Sequence, residues 1–255
     1  MCLTSELVGQ KKLLTQALVF RQVHCTHGNK LNHMKTQSLL LTAAAVCLGA
    51  TSAFGAVSSN IVGYTKLSLV QGLNLIGNTL DNKNGNKIAD VIPLAPDGAN
   101  VYTFDGANFS VVQYFQNDTS NPAAGGVWSG DATLAPGTGF FIDVPSATSL
   151  TFVGEVLQGS LSNPIPSGLS IKSSQVPQAG ALDALGLLAG DGDTVYYYQG
   201  SGYTGYQFFA NDTTNPAAGG VWSTPDNAAP QLAVGQAVFY ASGGAATWKR
   251  TFTVN

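Results

Sequence analysis

Cysteine and histidine are confined to the start of this chain: Cys2, Cys25 and Cys47, with His24, His27 and His33. Everything after Cys47 lacks both, and carries a single arginine, Arg250, and a single glutamate, Glu155. Nucleophilic triads built on histidine, thiolate catalysis and the usual zinc sites therefore have no essential parts there. Disulfide staples are excluded in the same region, so stability must come from a packed core. Charge of either sign is scarce. Beyond Ala56 the basic residues are Lys66, Lys83, Lys87, Lys172, Lys249 and Arg250, against about twice as many acids. An acidic, charge-poor surface without a basic patch disfavours nucleic acid and anionic membranes as partners. No run approaches about 20 apolar residues, so no membrane-spanning helix is expected.

What is present begins with "MKTQSLLLTAAAVCLGATSAFGA", Met34 to Ala56. Lys35 supplies a charged start, Leu39 to Leu48 an apolar stretch, and Ala53-Phe54-Gly55 a small-x-small cleavage site, the pattern of a secretory signal peptide. Residues 34–55 are thus expected to be a signal, residues 1–33 an over-extended start, and the product exported to the periplasm or exterior. Cys47 lies in mid-run behind Val46, which is the wrong context for a lipid-modified cysteine.

The rest of the chain is written twice. "NDTSNPAAGGVWS" (117–129) returns as "NDTTNPAAGGVWS" (211–223), "PDGANVYTF" (96–104) as "GDGDTVYYY" (190–198), and "LAPGTGFFI" (134–142) as "LAVGQAVFY" (232–240). The offset is 94 residues and drifts by a few after the loop, so insertions are confined to turns. Each copy reads as short strands of period two separated by Gly, Pro, Asn and Asp clusters. In copy one they fall near 61–69, 73–77, 99–104, 111–115, 126–129, 138–144 and 150–156. In copy two they fall near 169–173, 194–198, 206–210, 220–223, 236–240 and 247–254. One helical candidate per copy starts at Asn86 ("NKIADVIPLA") and Ala181 ("ALDALGLLA"). The expectation is a mainly β protein of two tandem pseudo-repeats, 56–157 and 158–255, each a small antiparallel β-sandwich or barrel with one short helix. The boundary falls in the Pro-, Ser- and Gly-rich stretch 157–168.

"GYTKLSLVQGLNLIGNTL", "PDGANVYTF" and "LAPGTGFFI" resemble a recurring family of short exported bacterial proteins. Its strands carry G-x-N-L-I-x-N, DG-x-x-VY and L-x-P-G-x-G-F-F motifs. The resemblance covers nearly the whole chain after the leader. It implies an exported β-domain of unassigned function and brings no catalytic residues with it.

The duplicated loop is the first candidate site. Asx turns, Asn-Pro and Gly-Gly build an ordered hairpin connection, with Trp128 and Trp222 in the core. A functional reading notes that the loop stayed nearly constant while its surroundings diverged. Its candidate ligand-binding residues are Trp128, Trp222, Tyr114, Asn117, Asn211, Asp118 and Asp212, acting in self-association or on polysaccharide. Aromatics are a second supply. Tyr102 and Phe104 share a strand face, as do Tyr196 and Tyr198, and Tyr114, Phe115, Tyr203, Tyr206, Phe208 and Phe209 follow. Exposed rings stack on sugars, although rings on sheets more often form cross-strand pairs.

Two chemical alternatives are weaker. "DNKNGNKIAD" (81–90) has oxygen ligands, but Lys83 and Gly85 break the spacing of a calcium loop, and a turn leading into a short helix fits better. Asp97 and Asp191, and Asp118 and Asp212, are matched across the copies, and a glycosidase needs two carboxyls in one cleft. Asp97 and Asp191 precede Gly, as turn residues do. The sequence thus points to a non-enzymatic exported protein with a structural or adhesive role. A carbohydrate-binding module is the alternative and a carboxylate glycosidase a distant third; no cofactor and no metal is expected.

Overall fold

The structure is a computed structural model and describes residues 61–117, 126–211 and 220–254. The leader residues 1–33 and 34–55 lie outside the described residues, and both repeats belong to one compact unit, Ser59–Asn255.

Copy one runs β1 (Val62–Leu69), β2 (Gly72–Gly77), α1 (Ile88–Val91), β3 (Asn100–Phe104), β4 (Phe109–Phe115), β5 (Val127–Trp128), β6 (Gly139–Val144) and β7 (Thr148–Glu155). Copy two runs β8 (Gly159–Ile165), β9 (Gly168–Ser173), β10 (Gly180–Ala181), β11 (Thr194–Tyr198), β12 (Tyr203–Phe209), β13 (Val221–Trp222), β14 (Gln231–Leu232), β15 (Ala237–Ser242) and β16 (Ala246–Phe252). Each copy forms a five-stranded antiparallel sheet, in order β2-β6-β3-β4-β5 and β9-β15-β11-β12-β13. The first and last strands of each copy pair separately, β1 with β7 and β8 with β16. The fold is mainly β, as expected.

Period-two alternation decides which side chains go where. On β6, Phe140, Ile142 and Val144 point into a core closed by Leu69 of β1 and Leu150 and Phe152 of β7. On β15, Val238 and Tyr240 do the same against Ile165 of β8 and Trp248 of β16. Each copy is therefore a small sandwich of sheet and ribbon, whose buried Phe and Leu side chains each contribute about 1.5–3 kcal/mol. The opposite faces of the two sheets meet. Leu75, Phe141, Ile171, Ala237 and Phe239 form a third apolar cluster, flanked by Tyr102, Phe104, Tyr196 and Tyr198.

The contacts between copies are reciprocal, as at an isologous interface. The Gly77 amide donates to the Gly235 carbonyl (2.9 Å), and the Ser173 amide donates to the Gly137 carbonyl (3.0 Å). Ile76 bridges Gln236, and Lys172 bridges Thr138. Phe141 and Phe239, which are the same position in the two copies, sit with ring centroids 5.9 Å apart.

Two local expectations need correction. The stretch 157–168, in which the boundary falls and no strand is expected, contains strand β8 at 159–165, paired along its length with β16. In copy two the segment from Ala181 makes turns instead of a helix. The Leu185 amide reaches the Ala181 carbonyl (2.9 Å), but Gly186 then takes φ +88° beneath the Lys249 carbonyl, which ends the coil. In copy one the expected helix is a single turn, α1.

Candidate functional site

The root of the duplicated loop is built identically in both copies. β4 and β5 pair Tyr114 with Trp128 and Phe115 with Val127; β12 and β13 pair Phe208 with Trp222 and Phe209 with Val221. Ser129 Oγ accepts from the Gln113 amide, and Ser223 Oγ accepts from the Gln207 amide, both at 2.9 Å. Asp97 Oδ1 accepts from the Gln116 amide (2.9 Å) and Asp191 Oδ1 from the Ala210 amide (2.8 Å), so each carboxylate ties the DG turn to the strand leading into the loop. Gly98 and Gly192 take φ +79° and +82°, as those DG turns require.

The second glycine of the loop explains part of its constancy. Gly126 and Gly220 hold φ of +118° and +106°. A Cβ on Gly126 would overlap the Tyr114 hydroxyl, and one on Gly220 would strike the edge of the Phe208 ring. Both backbone conformation and ring contact therefore demand glycine.

The candidate residues divide sharply at this root. Trp128 is 8% exposed and Trp222 4%, which corrects the idea that they form a sugar platform: neither indole offers a face to a ligand. Trp128 Nε1 donates to the Ile92 carbonyl at the end of α1 (2.8 Å), and its ring packs on Tyr114 at 5.2 Å. Trp222 packs on Phe208 at 5.4 Å. Tyr114 is also buried and belongs to the core of copy one. Asn117 and Asn211 are exposed where the strands leave the sheet. Asp118 and Asp212 lie outside the described residues, so the glycosidase pairing does too.

Two of the aromatics counted in the sequence, and a valine not singled out there, do face solvent. Phe115 and Phe209 are 43% and 42% exposed, and Val127 is 41% exposed. Each loop thus rises from a cross-strand Phe–Val pair whose phenylalanine shows to water in both copies, with Val127 exposed and Val221 half-buried. Alternation along β4 and β12 carries the signal, since each phenylalanine adjoins the buried Tyr114 or partly buried Phe208 and must face the other way.

The segment 81–90 also has a structural explanation. Lys83 Nζ lies 3.1 Å from Glu155 Oε2 and 3.6 Å from Asp81 Oδ2, so an ammonium stands among the oxygens that a calcium ion would need. Burial raises the Asp81 pKa, but the Lys83 amide, the Asn86 side chain and the Lys83 charge outweigh it and hold the carboxyl below its usual range. Among the described residues, no group of three His, Cys, Asp or Glu side chains could hold a metal, and no helix is long and apolar enough to cross a membrane. No protein-family model, curated protein or solved structure matches this chain.

Proposed function

We propose that this is a non-enzymatic exported protein with a structural or adhesive role in the cell envelope or outside the cell, whose copies join through the roots of the duplicated loop. The observation that carries this reading is the phenylalanine exposed at the loop root of each repeat, Phe115 paired with the exposed Val127 and Phe209 paired with the half-buried Val221. Exposed apolar side chains at the edge of a sheet favour association, and two such sites on one chain let weak contacts add by linkage. The signal-like segment 34–55 and the resemblance to exported β-domains support the cellular setting. The carboxylates Asp97 and Asp191 beside the loop support the non-enzymatic part, because each accepts from a backbone amide that holds the turn.

The test is self-association of the full chain across a wide concentration range, with Phe115→Ser and Phe209→Ser introduced singly and together. These positions are exposed, so the fold should survive the change. Association that weakens with one substitution and disappears with both supports the reading. Association indifferent to both contradicts it.

A further inference from the structure

Copy two contains a cavity that lies where its sequence parts from that of copy one. Tyr197 and Tyr206 occupy the positions of Thr103 and Val112 in copy one, on β11 and β12. The offset between copies is 94 residues at β13 and 98 at β15, so four residues are inserted between these strands. That longer turn forms a wall of the cavity. It is ordered by Thr224 Oγ1 donating to the Ala228 carbonyl (2.7 Å), by the Asn227 amide donating to the Thr224 carbonyl (3.0 Å), and by Asn227 at φ +59°. This half-open cavity is about 340 Å³ and is lined by Tyr197, Gln199, Tyr206, Thr224, Asp226 and Gln231, among others.

One polar atom in that wall lacks a partner. Tyr197 is 7% exposed, and its hydroxyl is buried with no hydrogen-bond partner among the described residues. A buried orphan of this kind is costly and calls for a water or a ligand. Burial, with the neighbouring Tyr206 adding to it, pushes the phenol up, so it remains a neutral donor. The Tyr206 ring meets the Tyr197 ring edge to face, with centroids 5.9 Å apart.

We infer that this cavity is a binding site for one neutral, hydroxyl-rich ring, such as a single sugar residue. The lining selects that chemistry step by step. None of its residues is a cation, so a phosphate or carboxylate would go unanswered, and Asp226 would repel it. An ammonium ligand brings donors only and would leave the Tyr197 donor unmatched. A sugar hydroxyl both donates and accepts, which suits a phenol, the two amides of Gln199 and Gln231 and a carboxylate. The C–H face of a sugar ring stacks on tyrosine, and the volume lies at the small end of ligand pockets. This site is separate from the loop roots and does not depend on the self-association reading.

The experiment uses the full chain with methyl glucoside, methyl galactoside and N-acetylglucosamine, and methylammonium as the ammonium control. Thermal unfolding and saturation-transfer NMR report binding. Support is a dose-dependent rise in Tm with at least one glycoside, weakened tenfold or more by Tyr206→Val and several-fold by Tyr197→Phe, and unchanged by Phe115→Ser with Phe209→Ser. Copy one carries Val112 at the first of these positions, so the fold accommodates the smaller residue; Gln199→Ala, at an exposed position, is the second probe and should also weaken binding. No response to any glycoside, a response equal in wild type, Tyr206→Val and Gln199→Ala, or binding of methylammonium alone would overturn the inference. A cavity holding only water gives the first of these results.

Discussion

Gly77 and Ser173 are the same position in the two repeats, and they meet across the seam between the repeats so closely that a Cβ on Gly77 would overlap the Ser173 side chain. Their amides make the reciprocal hydrogen bonds of that seam, to Gly235 and Gly137. Ser173 Oγ also donates to the Gln236 carbonyl at 2.8 Å. The seam has room for one side chain at this point, so the copies had to diverge here.

Gly77→Ser should therefore destabilise the protein by about 1–3 kcal/mol, the usual cost of overpacking. Combining it with Ser173→Gly moves the side chain to the other copy and should recover part of the loss. Denaturant unfolding of the two single variants and the pair measures this as a coupling energy. Strict additivity would mean that the two positions do not share the space.

Gly126→Ala and Gly220→Ala should each cost more than about 1 kcal/mol, because alanine at positive φ is strained and its Cβ strikes an aromatic ring. Gly202→Ala is the control, since nothing lies within 4 Å of a Cβ there. Thermal unfolding should separate the first two variants from the third.

The three indoles, Trp128, Trp222 and Trp248, are all buried, so tryptophan emission should be blue-shifted and resist acrylamide quenching until the chain unfolds. Trp128→Ala should lose about 3–5 kcal/mol, as large-to-small core changes do, with the bond to the Ile92 carbonyl included in the loss. Trp248 Nε1 likewise donates to the Leu185 carbonyl, at 2.7 Å. A readily quenched, red-shifted emission from the native protein would contradict this packing.

Asp81 gives the expected acid response. A carboxyl held below its unfolded value contributes stability that is present above about pH 4 and is lost as pH falls through the folded value. Melting temperature should drop across that acidic window, and Asp81→Asn should reduce the drop while lowering stability at neutral pH. An unchanged acid profile in Asp81→Asn would remove Asp81 from the account.

The β class and the doubling were legible because period two and the repeated turn residues are local signals. Strand β8 was not. Its Ser, Gly and Pro composition reads as a run of turn formers, yet β8 pairs with β16 in a two-stranded sheet, and Pro164 is tolerated on such an edge strand. The second helix failed because Gly186, set beneath the backbone of β16, must take a positive φ that no local pattern announces. The indoles stayed open between core and ligand face because β5 and β13 are two residues long. Alternation over so short a span does not say which residue faces inward. The tyrosine cavity showed in the sequence only as a drift of the repeat frame after the loop.

The central claim is that the exposed phenylalanines at the two loop roots join copies of this chain. Sedimentation equilibrium of the full chain, beside the Phe115→Ser, Phe209→Ser double variant, tests it most directly. The account predicts that the weight-average mass of the wild type rises above the monomer with concentration while the double variant stays monomeric. A wild type that remains monomeric throughout, or a double variant that associates equally well, would contradict it.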